Sequence, residues 1–418
     1  MNIEKSKVVF ASLMSNIVEY YDFGLYGVCA LEMGRVFFPH SDPFITLMLQ
    51  MLAFSMALLT RPFGGLFFGH IGDKFGRRTA IMISIIGISM ASFVIAFLPG
   101  YDSIGLVAPI ILCIIRIVQG LCIGGEGVGS AIFLIEHFEK SKPAFVGSIV
   151  QASAMGGVLL AQFIYSQIYQ WDAHDAWRYA FFLGGCMGVV GLCFRSFTKE
   201  SPAFNAIKRH KEQAPKAPIV ILLQNCKKEM IYIACIASFA TAFSYSTRTL
   251  LPGFFELSYG MDKMSATYYG EMALILFIIL LPICGIYSDK IGHKRYMRIT
   301  SYCAIICSIP IFMFLDLCAI KGAYLNFGLF LLALLAAMSC AAAYPYSINM
   351  IKNPGLRYSG VGTAWNLGVS LSGTLTLNLG VFIYAKCHPI AIGLYLSYIS
   401  LLYLIASILF YRYHSDRS

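Results

Sequence analysis

Apolar runs of about twenty residues, the length that crosses the hydrocarbon of a bilayer as a helix, recur along this 418-residue chain with short polar breaks between them. Twelve such runs lie near 8–37, 44–71, 79–99, 104–137, 143–170, 176–198, 229–257, 265–288, 296–316, 323–350, 357–385 and 389–412. The pattern predicts an all-α membrane protein of twelve transmembrane helices, several of them long enough to tilt or kink. The longest polar stretch, 199–228, carries Lys199, Lys208, Arg209, Lys211, Lys216, Lys227 and Lys228 with Pro202, Pro215 and Pro218. It divides the chain into a six-helix half over 1–198, a linker over 199–228 and a second six-helix half over 229–418.

The distribution of charge orients these spans. The breaks after spans 2, 4, 6, 8 and 10 hold Lys74, Arg77, Arg78, Lys140, Lys142, the linker residues, Lys290, Lys294, Arg295, Lys352 and Arg357. The opposite breaks hold few basic residues, chiefly Lys263, Lys321 and Lys386. Lys and Arg concentrate on the cytoplasmic side of membrane proteins, so both termini are expected in the cytoplasm. The run after Lys5 and Lys7 contains Glu19 and Asp22 and shows no small-residue cleavage site, so it reads as a retained first span rather than a signal peptide.

Composition agrees. The chain is 58% hydrophobic and 12% charged, which is about half the usual charged share of a soluble domain. The net charge of +10 sits in the breaks and not on one polar surface, which argues against a nucleic-acid partner. Thirteen cysteines lie scattered in apolar runs with no CxxC pair; Cys303 and Cys307 share a helix with no His or acid beside them, so no metal site is expected. No nucleophile–base pair suggests an enzyme.

The halves repeat. Gly69-His-Ile-Gly-Asp73-Lys74-Phe-Gly76-Arg77-Arg78 recurs as Gly285-Ile-Tyr-Ser-Asp289-Lys290-Ile-Gly292-His293-Lys294, each copy after the second span of its half. Two such halves related by an axis along the membrane normal form a transporter plan with the substrate between them. The first copy, begun at Arg61-Pro62-Phe-Gly64-Gly65, resembles the loop signature of the major facilitator superfamily. That resemblance implies two pseudo-symmetric six-helix halves and a loop, with Asp73, Arg77, Arg78 and Asp289, that latches one conformation of the cycle. A narrower similarity, to the metabolite:proton symporters for proline and betaine, 2-oxoglutarate, shikimate, citrate or dicarboxylates, rests on several runs. These are Asn16-Ile-Val-Glu19-Tyr20-Tyr21-Asp22-Phe23, Arg116-Ile-Val-Gln119-Gly120, Gly124-Gly125-Glu126, Trp177-Arg178, Glu200-Ser201-Pro202 and Trp365-Asn366. In span 11 the usual Gly-Gly-Thr-x-Pro run stands as Ser372-Gly373-Thr374-Leu-Thr376.

Ionisable groups deep in a membrane are expensive and therefore candidates for function. Glu19 and Asp22 share one helix face. Arg116 and Glu126 on span 4 lie about 15 Å apart along the axis. By resemblance to sugar porters, Asp22 is expected to carry the proton with Arg116 as its partner, exchanging a salt bridge for a proton as the pair separates; the alternative is a structural ion pair. Glu19 and Glu126 are further protonation candidates. Arg61, Arg116 and Arg248 are candidates for a substrate carboxylate, with Tyr20, Tyr21, Tyr344 and Asn366 for further contacts; Arg248 equally suits the outer membrane interface. Tyr20, Tyr21 and Tyr26 could face a quaternary ammonium. The expected protein is thus a monomeric carrier in a bacterial inner membrane, without cofactor and energised by a proton gradient, taking up a small carboxylate or zwitterion. The competing readings are a proton-driven exporter of drugs or of a secreted metabolite such as a carboxylate siderophore, and a membrane receptor.

Overall fold

The computed structural model describes residues 3–40, 43–137, 142–196, 218–321, 324–386, 388 and 390–415, and the regular structure within them is helical. Span 1 is Ile3–Val28 continued by Ala30–Phe37, span 2 Pro43–Phe75, span 3 Arg77–Phe97, span 4 Val107–His137, span 5 Pro143–Trp171 and span 6 Ala176–Ser196. Span 7 is Lys227–Arg248 continued by Leu250–Tyr259, span 8 Lys263–Ile291, span 9 His293–Lys321, span 10 Leu325–Ala341 continued by Ala343–Ile348, span 11 Pro354–Lys386 and span 12 Ile390–Ser415. Spans 2 to 12 supply eleven helices long and apolar enough to cross a membrane; span 1, with Glu19 and Asp22, is the twelfth. Of the stretch read as a linker, 199–217 lies outside the described residues, Pro218–Asn225 is a short helix, and span 7 already begins at Lys227.

Three spans are interrupted, at Cys29, Thr249 and Ala342. Two of these breaks have a proline three residues on, Pro252 and Pro345. A proline cannot bond the carbonyl four residues back and its ring crowds that carbonyl, here Arg248 and Ala341, so each helix is interrupted one residue later. Cys29 has no such neighbour. Cys29 and Ala342 are fully buried, and irregular backbone is tolerated at membrane depth where protein and not lipid surrounds it.

Small residues bring helices into backbone contact. A Cβ added to Gly120 of span 4 would lie 2.1 Å from the Ala57 carbonyl oxygen of span 2, and one added to Gly124 would lie 2.3 Å from that of Arg61. In lipid, where no hydrophobic force drives helices together, such close packing is the main source of adhesion. Arg178, at the start of span 6, closes another joint: its Nη1 donates to the carbonyls of Ala96 (3.1 Å) and Leu98 (2.8 Å) where span 3 ends. A cation is favoured at that C-terminus.

The repeated motif has a geometric cause at its glycines. Gly76 (φ 111°) joins span 2 to span 3, and Gly292 (φ 92°), 216 residues on, joins span 8 to span 9. Both conformations are open to glycine and strained for other residues. A Cβ on Gly292 would meet nothing within 4 Å, so Gly292→Ala isolates backbone strain from crowding. It is expected to destabilise the protein by about 1–3 kcal/mol, read as a lowered midpoint of thermal unfolding in detergent; an unchanged midpoint would show that this turn carries no strain.

Candidate functional site

Between the halves lies a cavity with about 550 Å³ of empty space, walled by both. The first half contributes Tyr20, Arg61, Gln151 and Met155; the second contributes Thr241, Ser244, Tyr245, Arg248, Tyr344, Trp365 and Asn366. No Asp or Glu lines it among the described residues. Arg61 and Arg248 are 4% and 5% exposed. Arg61 leaves Nε and Nη2, and Arg248 leaves Nε, without a hydrogen-bond partner. Their charge is met instead by aromatic faces. The guanidinium carbons lie 4.4 Å and 5.6 Å from the centroid of the Phe23 ring, and that of Arg248 lies 4.0 Å from Tyr245. Tyr344 stacks on Trp365 at 4.3 Å, building an aromatic wall.

A second, closed polar group lies wholly inside the first half. Asp22 accepts a hydrogen bond from the Ser92 hydroxyl of span 3 at Oδ1 and one from Gln119 Nε2 of span 4 at Oδ2 (2.7 Å). Arg116 Nη1 donates to Gln119 Oε1 (2.7 Å). The expected direct contact of Asp22 with Arg116 is therefore replaced by a bridge: the amide of Gln119 accepts from the cation and donates to the carboxylate. The geometry explains why. Arg116 lies flat on the Tyr26 ring, 3.8 Å from its centroid, with Phe54 at 5.2 Å, and that stacking holds it off the acid. Below Asp22, a cavity with about 280 Å³ of empty space is lined by Glu19, Asp22, Ile85, Ser89, Gly184 and Gly188.

These positions sort the candidates. Arg61, Arg248, Tyr20, Tyr344 and Asn366 wall the central cavity, and Arg248 sits there rather than at the membrane interface. Arg116 and Tyr21 do not: both are fully buried, Arg116 in the Asp22 group and Tyr21 with its hydroxyl donating to Ala180 O (3.0 Å). Both are absent from the cavity lining, which removes them from direct contact with a substrate held there. Tyr26 has its face taken by Arg116 and offers none to an ammonium. Asn366 also ties the halves, donating to Gly124 O (2.7 Å) and Gly362 O (2.8 Å). The side chain of Glu126 lies outside the described residues. Sequence reading passed over Gln119 as a functional residue, although it stands three residues after Arg116 on one helix face. Ser92 and Gln151 gave no signal in the sequence.

At the end that carries the basic loops the halves are sealed by two related contacts. Asp289 accepts from the backbone N–H groups of Ala144 and Phe145, both at 2.9 Å, in the first turn of span 5. Asp73 accepts from Ser359 N (3.1 Å) and Ser359 Oγ (2.6 Å), near the start of span 11. Asp289, at the N-terminus of span 5, satisfies free N–H groups and meets the positive end of the helix dipole; Asp73 is held one turn into span 11, most closely by the Ser359 hydroxyl. Each acid belongs to one half and grips the other. Arg77 is buried beside Asp73 at the head of span 3, and Arg78 follows it. Tyr358 adds a bond to Gly125 O (2.6 Å).

A helical bundle of two repeated halves around a central cavity is the architecture of a secondary transporter, and sequence comparison agrees. The Major Facilitator Superfamily profile matches residues 8–373, and the chain belongs to that superfamily. It is 30% identical over 388 residues, 88% of this chain and 75% of the relative, to the glycine betaine/proline/ectoine/pipecolic acid transporter OusA of Dickeya dadantii. It is 29% identical over 405 residues, 93% of this chain and 80% of the relative, to the proline/betaine transporter of Escherichia coli K12. It is 28% identical over 417 residues, 97% of this chain and 94% of the relative, to the inner membrane metabolite transport protein YhjE of the same strain. Its fold matches the proton:xylose symporter XylE bound to 6-bromo-6-deoxy-D-glucose with a TM-score of 0.77 at 15% identity, covering 98% of this chain and 95% of that one. The protein is thus a multi-pass membrane transporter and not an enzyme.

The two acid contacts predict a measurable opening. Removing both in Asp73→Ala/Asp289→Ala deletes four hydrogen bonds, two at each acid, each worth about 1 kcal/mol net. Spin labels placed on Lys142 and Lys352, both exposed at this end, should then move to longer separations in double electron–electron resonance. An unchanged distance distribution would show that other contacts hold this end shut.

Proposed function

We propose that this transporter takes up a small carboxylate-bearing metabolite, zwitterions included, together with a proton, by alternating access across a bacterial inner membrane with both termini in the cytoplasm. The observation that carries this reading is the pair of buried arginines, Arg61 and Arg248, facing the central cavity with N–H groups unpaired and, among the described residues, no acid in the lining. Two buried guanidiniums facing one cavity favour an anionic group, and their planar forks suit a carboxylate. The faces of Tyr20, Tyr344, Tyr245 and Trp365 suit the cationic end of a zwitterion. The relatives named for proline and glycine betaine carry both groups, which supports the same choice here.

Coupling is assigned to Asp22. A carboxyl buried away from water resists ionisation, and a neighbouring cation favours it. In the observed arrangement Arg116 acts on Asp22 through Gln119, so displacement of that amide during rocking of the halves leaves the acid to take a proton. The basic-end acids Asp73 and Asp289, with Arg77 and Arg78, hold the carrier closed toward the cytoplasm until the loaded cavity drives the change. The two cavity arginines suit an anion and lend no support to export of the apolar cations typical of drugs; an exporter of a carboxylate would use the same cavity, and the direction of transport separates it from uptake.

The test is uptake by purified protein in liposomes of labelled proline, glycine betaine, 2-oxoglutarate, citrate and succinate, with an inward proton gradient and with it collapsed. At least one should accumulate, and only with the gradient. Arg61→Gln and Arg248→Gln should each raise its KM at least tenfold, about 1.4 kcal/mol of lost binding. Asp22→Asn should abolish accumulation and spare exchange. Accumulation against the gradient by Asp22→Asn would remove Asp22 from coupling, and proton-driven efflux with no uptake of any compound would reverse the direction.

A further inference from the structure

The Asp22 group continues toward the end of the bundle opposite the basic loops. Tyr26 stands four residues beyond Asp22 on span 1, about 6 Å further along the helix. Gln50 enters from span 2, seven residues after Pro43 and about 10 Å from that end, while Arg116 is nine residues into span 4, about 14 Å deep. Gln50 lies beside the Tyr26 hydroxyl, and Tyr26 lies under Arg116. Gln50, Tyr26, Arg116, Gln119 and Asp22 therefore form a ladder through the interior of the first half, and every rung is at most 2% exposed.

The ladder is polar and unsatisfied. Arg116 Nε and Nη2 are buried with no hydrogen-bond partner, and the Gln50 amide and the Tyr26 hydroxyl, beside each other, have no further one. Buried polar groups are rarely left unpaired, because each costs about 1–3 kcal/mol. A cluster of them, each within reach of the next, is the setting that holds internal water, which needs two to four polar partners. None of these orphans lines the central cavity, so water held here is not the water that meets substrate.

We propose that the proton reaches Asp22 through this buried ladder, along water held by Gln50, Tyr26 and Arg116, and not through the substrate cavity. This rests on the assignment of coupling to Asp22. Each water accepts a proton on one side and releases one on the other, and the last proton goes to an Asp22 carboxylate oxygen; no residue of the ladder changes its own charge except Asp22. The titratable and charged neighbours are Glu19, Tyr21 and Tyr26 on span 1, Arg61 on span 2, Cys113 and Arg116 on span 4, and Tyr245 on span 7; spans 3 and 6 face Asp22 with Ser92 and Gly184. Arg116 sets the count. While Asp22 is ionised the bridged pair is neutral overall and a hydrated proton can pass. Once Asp22 is protonated the guanidinium is uncompensated and repels a second proton.

The test follows protonation of Asp22 directly and needs no substrate. A proton is photoreleased in a suspension of the purified protein, and the rise of the protonated-carboxyl infrared band is timed, with the Asp22 band identified by its loss in Asp22→Asn. Tyr26→Phe keeps the ring under Arg116 and removes only the hydroxyl; Gln50→Leu removes the outer rung. Each should slow the Asp22 band at least tenfold with its amplitude unchanged, while Tyr232→Phe, in the other half, keeps the wild-type rate. Wild-type rates in either ladder variant, or equal slowing in Tyr232→Phe, overturn the path and leave Asp22 as the proton carrier. No band lost in Asp22→Asn overturns both.

Discussion

The constraint on which this structure depends is the cost of keeping charge inside a membrane. An isolated charge at mid-bilayer is unfavourable by several kcal/mol, yet Arg61, Arg116, Arg248, Asp22 and Glu19 are buried in the interior of this bundle. Two devices make the arginines and Asp22 tolerable. Arg116 and Asp22 share the dipole of one amide, Gln119. Arg61 and Arg248 rest on aromatic faces and are left short of hydrogen bonds. The first arrangement is nearly self-sufficient, and the second is incomplete until an anion arrives. That difference divides the interior into a polar group closed inside one half, to which coupling is assigned in the proposed mechanism, and a cavity shared by two, to which binding is assigned.

On the proposed mechanism of alternating access the halves separate at one end at a time, so their contacts must be strong in sum and weak one by one. The seal at the basic end meets this requirement. It uses carboxylates against the beginnings of helices, interactions of about 1 kcal/mol each, and backbone contact at small residues. The repeat makes the seal two-sided: Asp73 grips span 11 and Asp289 grips span 5. Each half therefore carries one carboxylate and offers one helix end, and a relative rotation that breaks one contact strains the other.

Much of this was legible in the sequence and part of it was not, for physical reasons. Hydropathy located all twelve spans because lipid demands a long apolar run whatever the packing. The repeated Gly76 and Gly292 marked turns that only glycine adopts without strain. Single buried charges stand out against an apolar background, so Asp22, Arg61, Arg116 and Arg248 were recognisable. Which way each one points was not, because a membrane helix is apolar on every face and gives no amphipathic stripe to orient it. Arg116 and Tyr21 were thus placed among substrate contacts, although they face the interior of one half. The bridging role of Gln119 depends on how span 4 meets span 1, and local spacing could not reveal it.

Span 1 joins the two polar regions. Asp22 and Phe23 are neighbours in sequence and face opposite ways, the acid into the first half and the ring onto Arg61 and Arg248. From Phe23 the contacts run on without a gap: to Phe54 at 4.8 Å, from Phe54 to Tyr26 at 5.6 Å, and from Tyr26 to Arg116 at 3.8 Å. Close-packed rings transmit displacement because an interior at crystal-like density has no slack to absorb it. On the proposed mechanism, a change of charge at Asp22 alters the pull on Arg116 through Gln119, and Arg116 cannot shift without moving the ring it lies on. The same rings bear on the two cavity arginines, so the hold on an anion in the cavity and the charge on Asp22 act on one stack of four groups. Coupling of substrate to proton then needs no contact between the two, only that this stack has one arrangement with Asp22 ionised and another with it neutral.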